Sequence, residues 1–221
     1  MVSLSTSPMP IAPPRRILYE TLGVIALMAL VALTPFKGIA VLLPVIYFFG
    51  EARLRQRTWA ELGFKPREFI ANVRRNWAWI LLVGVVIQCA VIVGAQFWAP
   101  AFLEHVRARL STLDNLQLFS VIGILFISTL AEEITFRAFF QERLAWFVGT
   151  PIAILIAAFL FGVMHLSDGA LWIAMLDIAL VIFDGVLYGI IFARGKNVLT
   201  AWLAHFLADV TGILFLLYWI P

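Results

Sequence analysis

Residues 118–140 read LFSVIGILFISTLAEEITFRAFF, and the tension inside that stretch determines how the rest of the chain is read. As a helix it is long enough to cross about 30 Å of hydrocarbon. Near its end, however, it carries Glu132, Glu133 and Arg137. A charge held at the centre of a bilayer costs about 2.5–3.5 kcal/mol on insertion scales, so these side chains must face protein or water. Glu133 and Arg137 are four residues apart and share a helix face, where an ion pair removes most of the cost of each. Glu132 points about 100° away around the helix. It has no partner on its own segment and is the carboxylate available for chemistry.

The composition agrees with lipid as solvent. The chain has 221 residues, 63% of them hydrophobic and only 13% charged, with a mean hydropathy of +0.99. That excludes a water-soluble domain and implies an all-α, polytopic integral membrane helix bundle. A net charge of +3 is too small to suggest a nucleic-acid partner. The single cysteine, Cys89, lies in an apolar stretch, so it forms neither a disulfide framework nor a cysteine metal cluster.

Windows near membrane-crossing length fall at 17–34, 37–50, 77–98, 118–142, 150–166, 171–193 and 198–220, with an eighth span if the sixth divides near Asp184-Gly185. The second is short and contains Pro44, which suggests a kinked or re-entrant segment. Gly149-Thr150-Pro151 reads as a stop, a cap and a first-turn proline. Residues 1–16 contain four prolines and no periodic apolar pattern, the signature of a disordered cytoplasmic leader ahead of a bundle over 17–221. With the N-terminus inside, these spans place twelve of the 16 Lys and Arg residues on the cytoplasmic side, and the asymmetry predicts that orientation in the cytoplasmic membrane. Residues 50–77 interleave basic residues with Trp59, Leu62, Phe64 and Phe69 and read as an interfacial segment on anionic headgroups.

The remaining ionisable residues within spans are His165, Asp177, Asp184, His205 and Asp209. His205 and Asp209 are four apart on one face. Taken singly, His165 is a histidine satisfied at a helix end, His205-Asp209 an interhelical polar staple, and Asp177 with Asp184 the lining of a polar seam. Taken together they sharpen. At about 1.5 Å per residue, Glu132, His165, His205 and Asp209 lie roughly 11–22 Å from the cytoplasmic ends of their spans, so three helices deliver them to one layer.

Such a set suits hydrolysis in a cavity within the bilayer. A carboxylate takes a proton from water, an imidazole orients that water or protonates a leaving amine, and further donors hold the oxyanion. Other intramembrane protease designs fit poorly. The chain lacks HExxH, Ser128 lacks a Gly-x-Ser-Gly setting, and Asp177 and Asp184 share one span without a Gly-x-Gly-Asp sequence.

On Glu132-Glu133-x-x-x-Arg137, Phe161-x-x-x-His165 and His205-x-x-x-Asp209, in that order on separate apolar segments, the chain resembles the CPBP family, also called the Abi or type II CAAX prenyl endopeptidase-like family. The resemblance covers about residues 115–212. It implies a bundle of about eight membrane helices housing a glutamate-dependent peptidase. In it Glu132 and His165 activate water, His205 with Asp209 stabilises the oxyanion, and Glu133, Arg137 and Phe161 give support. Position 209 departs from the asparagine usual in the prenyl endopeptidase branch, although bacterial-type members also use aspartate. An ionised Asp209 would repel an oxyanion, so it is either protonated, or orients His205, or helps hold a metal.

The expectation is therefore an intramembrane endopeptidase acting on a membrane-associated peptide or protein, without a cofactor. Two alternatives stand beside it. One is a metal-dependent peptidase in which Glu132, His165, His205 and Asp209 hold a divalent ion such as zinc. The other is a non-catalytic bacteriocin-immunity or scaffolding protein that uses the same polar cavity to bind a partner.

Overall fold

The computed structural model describes residues 15–110 and 117–218, the side chains of 109 and 110 excepted. The leader expected over 1–16 falls on undescribed residues as far as 14, while Arg15 and Arg16 already open the first helix.

Among the described residues the chain forms eight helices: α1 (Arg15–Ala32), α2 (Leu42–Leu54), α3 (Pro66–Trp98), α4 (Pro100–Leu110), α5 (Leu118–Val148), α6 (Thr150–Met164), α7 (Leu171–Gly195) and α8 (Val198–Tyr218). Seven of them match the expected spans, and α4 lies in what reads as an outer loop. The fold is an all-α membrane helix bundle. Four helices, α3, α5, α7 and α8, are long and apolar enough to cross a membrane. By contrast α2 and α6, with 13 and 15 residues, extend only about 20 Å and 22 Å.

Several boundaries differ from those expected. The second helix starts at Leu42 rather than 37, because Lys37–Ile39 forms a separate turn. Pro44 consequently falls in the first turn of α2, where its missing N–H and fixed φ are tolerated, and it introduces no mid-helix break. The third helix begins eleven residues before the expected 77, so the second half of the interfacial segment is its first turns. The sixth span does not divide at Asp184-Gly185, since α7 is unbroken through it. Between α5 and α6 the chain turns at Gly149, with φ +80°, a conformation that favours glycine. Gly149 itself is the cap residue, with Thr150 and Pro151 the first two helical positions.

Basic residues from distant parts of the chain meet at one end of the bundle. Arg143 on α5 pairs with Glu51 on α2 at 2.7 Å, and Arg55 bridges Glu51 and Glu20 at 2.9 and 2.6 Å. Arg75 donates to the carbonyl of Arg194, Arg194 to Asn76, and Lys196 to Glu142. In the loop between α2 and α3, the backbone N–H and hydroxyl of Thr58 both donate to Glu61, which holds that carboxyl below its usual range. Arg143, expected in a loop, is instead fully buried under Phe139, its guanidinium 4.6 Å from the ring centroid.

Two helices carry wide π turns, Leu82–Val86 in α3 and Ile134–Gln141 in α5, the second wholly buried. Both are departures from a uniform 3.6-residue period. Helices α6 and α7 pack through small residues. A Cβ on Gly185 would stand 3.2 Å from the Cβ of Ala158 and 3.3 Å from its Cα, and one on Gly189 would meet Ile154 at 3.0 Å. Such close approach gains dispersion contact without any hydrophobic drive between helices in lipid. Gly94 on α3, in contrast, has open space around it.

Overpacking a tight contact costs roughly 1–3 kcal/mol. Gly185→Ala is expected to lower the melting temperature of the detergent-solubilised protein, whereas Gly94→Ala leaves it level or raises it. Equal effects of the two substitutions would show that α6 and α7 are not in intimate contact.

Candidate active site

The site is assembled around His205, on the buried face of α8. Its Nδ1 lies 3.0 Å from Glu133 Oε1, and its Nε2 lies 3.7 Å from Glu132 Oε2 and 3.8 Å from Asp209 Oδ1. The ring stacks on Tyr188 of α7 with centroids 4.6 Å apart and planes 17° apart, and meets the edge of Phe161 from α6. Four helices thus fix one imidazole. A carboxylate can only accept, so the proton on Nδ1 is directed at Glu133 and the other nitrogen is presented to Glu132 and Asp209.

Glu133 and Arg137 are both completely buried. Their ion pair is present, with Arg137 Nε 3.4 Å from Glu133 Oε2, across the junction where the α-helical part of α5 gives way to its π turns. The guanidinium also donates to the carbonyl of Gly185 at 3.2 Å and lies 4.9 Å from the centroid of Phe161 and 5.5 Å from that of Tyr188. Cation–π contacts of this kind become stronger as water is excluded. Phe161 therefore touches Arg137, His205 and His165, and Tyr188 touches the first two.

Glu132 differs from its neighbour as expected: its side chain is 23% exposed where that of Glu133 shows nothing. It is not partnerless, however, because α8 brings His205 to it. His165 terminates α6, and its Nδ1 is 2.8 Å from the carbonyl of Phe161. A carbonyl only accepts, so the proton of a neutral His165 ring sits on Nδ1 and Nε2 is its acceptor.

His165, His205, Asp209, Asp177 and Asp184 all line one cavity of about 350 Å³ enclosed by α3, α4, α5, α6, α7 and α8. The four residues expected to act, Glu132, His165, His205 and Asp209, are thus brought to one region, with Glu132 reaching it through His205. No group of three or more His, Cys, Asp or Glu side chains among the described residues is gathered tightly enough to cage a metal ion.

Two residues, Gln88 in the cavity wall and His105 beside it, escaped the sequence reading. Gln88 of α3 donates to Asp184 at 2.8 Å. A glutamine inside an apolar span was the available signal, since such a group needs an interhelical partner. His105 of α4 was missed because α4 falls outside every membrane-length window. Its Nε2 is 3.1 Å from Ser167 Oγ and 3.6 Å from Asp177 Oδ2. Both partners address the same nitrogen, so this trio lacks the two-nitrogen relay that activates a serine nucleophile. It ties α4 to α7 and to the loop after α6.

These features define a class: a multi-pass membrane protein with a chamber of about 350 Å³ into whose apolar wall two histidines and three aspartates are set. Residues 114–211, which carry the site, match the family model Rce1-like, described as type II CAAX prenyl endopeptidase Rce1-like. That match supports the family resemblance carried by Glu132-Glu133-x-x-x-Arg137, Phe161-x-x-x-His165 and His205-x-x-x-Asp209. No curated protein and no solved structure matches it.

Because Glu133 neutralises a guanidinium with no exposure to solvent, its loss leaves an uncompensated buried charge, worth about 3–5 kcal/mol. Glu133→Ala is expected to unfold at a markedly lower temperature than wild type in detergent. Glu132→Ala should stay within about 1 kcal/mol of wild type. The reverse order would mean that Glu132 is the structural carboxylate.

Proposed function

We propose that the chain is an intramembrane endopeptidase that hydrolyses a peptide bond of a membrane-associated peptide or protein, using water activated by Glu132. The observation that carries this reading is the fixed imidazole of His205, locked through Nδ1 by Glu133 while Nε2 meets Glu132 and Asp209 at the wall of a cavity that also holds His165.

In this mechanism the Glu132 carboxylate takes a proton from water as the water oxygen bonds to the scissile carbonyl carbon. His165, with Nε2 as acceptor, orients that water. The carbonyl π electrons move onto oxygen. A doubly protonated His205 ring, held by Glu133, presents Nε2–H to that oxyanion, and Asp209 balances the ring's charge. As the intermediate collapses, the C–N bond breaks and the proton carried by Glu132 passes to the leaving amine. Arg137, Phe161 and Tyr188 act at one remove, by fixing Glu133 and the plane of His205.

The orientation follows from charge. The basic residues gathered at one end of the bundle support a reading in which that end, and the N-terminus of α1, face the cytoplasm at the cell membrane. Phe136, Phe139 and Phe140 are packed inside the protein core rather than lining the cavity.

Removing a general base lowers turnover by roughly 10²–10⁴-fold. Comparative membrane peptidomics of wild type and Glu132→Ala is expected to reveal a fragment made only with Glu132 present. If immunity or any other cellular role survives Glu132→Ala and His165→Ala in a folded protein, the chain acts by binding and the peptidase reading fails.

The metal-dependent alternative draws on Glu132, His165, His205 and Asp209 as ligands. Cleavage by the purified protein is expected to persist in EDTA and in 1,10-phenanthroline. Loss of cleavage that zinc restores would replace the metal-free mechanism with the metal-dependent one.

A further inference from the structure

Three aspartates line the cavity, and they are not alike. Asp177 lies 3.6 Å from the imidazole of His105, and Asp209 lies 3.8 Å from that of His205. Asp184 is hydrogen-bonded, among the described residues, by the amide of Gln88, 2.8 Å from its Oδ2. Its Oδ1 is buried without a hydrogen-bond partner among the described residues.

Gln88 cannot supply more. Its Nε2 also donates to the carbonyl of Val83 at 3.3 Å, an acceptor within the π turn of α3. Both amide hydrogens are thereby spent on acceptors, which leaves Gln88 Oε1 as an acceptor as well. Among the described residues, no lysine or arginine lines the cavity. The nearby guanidiniums are engaged elsewhere, Arg107 with the carbonyl of Leu216 and Arg137 with Glu133 behind Phe161 and Tyr188. On this wall the chamber offers acceptors and a carboxylate with no cationic side chain within hydrogen-bond reach among the described residues. A buried carboxylate in that condition is stabilised most by a cationic donor.

We propose that Asp184, held by Gln88, anchors a cationic side chain of the substrate peptide next to the bond that is cut. The position follows from helix geometry. Asp184 precedes Tyr188 by one turn, about 6 Å along α7, and the Tyr188 ring stacks on His205. An extended peptide rises about 3.3 Å per residue, so a lysine or arginine held by Asp184 lies within about two residues of a carbonyl at His205. The same wall disfavours a substrate that buries a carboxylate there. This inference rests on the peptidase reading for its substrate and on the cavity for its chemistry.

The test uses the full-length protein in nanodiscs and three acyl-anchored, internally quenched peptides that differ at one residue, placed in turn at the two positions on either side of the scissile bond: lysine, norleucine or glutamate. Wild type is expected to cleave the best lysine peptide about tenfold more efficiently than its norleucine counterpart, and the glutamate peptide least, the scale of one charge-assisted hydrogen bond. Asp184→Asn should reduce that preference to about twofold or less through a higher KM for the lysine peptide, with cleavage of the norleucine peptide and the melting temperature unchanged. Wild type showing no preference, Asp184→Asn retaining it, or an equal loss on all three peptides would each overturn the proposal. If Asp184→Asn does not fold, Asp184→Ser removes the carboxylate with a smaller side chain and must lose the lysine preference.

Binding separates this proposal from the reading beneath it. Labelled lysine and glutamate peptides are titrated onto Glu132→Gln protein and followed by fluorescence anisotropy. Absence of cleavage by wild type defeats the peptidase assignment. Equal affinity of the two peptides for Glu132→Gln defeats the anchor.

Discussion

The structure turns on a buried charge that cannot be left alone. Arg137 has no solvent to stabilise its guanidinium, and everything near it answers that constraint: Glu133 for charge, the carbonyl of Gly185 for a donor, and the faces of Phe161 and Tyr188 for the cation. In low dielectric an ion pair survives only when its remaining polar atoms find partners. Glu133 answers part of that requirement by extending its other oxygen to His205 at 3.0 Å, while Arg137 Nη1 stays buried without a hydrogen-bond partner among the described residues. The interaction that makes α5 tolerable in a membrane therefore also fixes the tautomer and orientation of an imidazole on α8.

This coupling explains why the site tolerates little slack. Gly185 lets α7 approach α6 closely enough for its carbonyl to reach Arg137, and the ring of Phe161 is wedged between Arg137 and both cavity histidines. The π turns contribute by widening the backbone. In α5 they begin immediately after Glu133, and in α3 they expose the Val83 carbonyl that holds Gln88. Such departures from regular helix are commonly found at functional sites, because they aim side chains where a regular period would not.

The division of labour between adjacent glutamates has the same origin. Successive residues on a helix diverge by about 100°, so one carboxylate of the pair faces the buried guanidinium and the other faces the side from which His205 arrives. Glu133 is spent on structure, and Glu132 keeps partial access to water. Chemistry that needs a base and a positioned imidazole is then available without either being recruited to neutralise Arg137. The aspartates extend the logic outward: Asp177 and Asp209 each sit beside an imidazole, whereas Asp184 is held by the amide of Gln88 and keeps one oxygen without a hydrogen bond among the described residues.

The sequence by itself determined the solvent and the class. A mean hydropathy of +0.99 and apolar windows of membrane length admit nothing but a helical bundle, and the Glu133-x-x-x-Arg137 and His205-x-x-x-Asp209 spacings place each pair on one face, since local helix geometry alone sets that register. Which helices meet is not a local property. That Glu133 serves His205, that Gln88 finds Asp184, and that His105 ties α4 to Ser167 depend on contacts between residues 62 to 96 positions apart. The second helix moved off its expected window for a related reason: hydropathy records how apolar a segment is, whereas its ends are decided by turns and capping partners contributed from elsewhere in the chain.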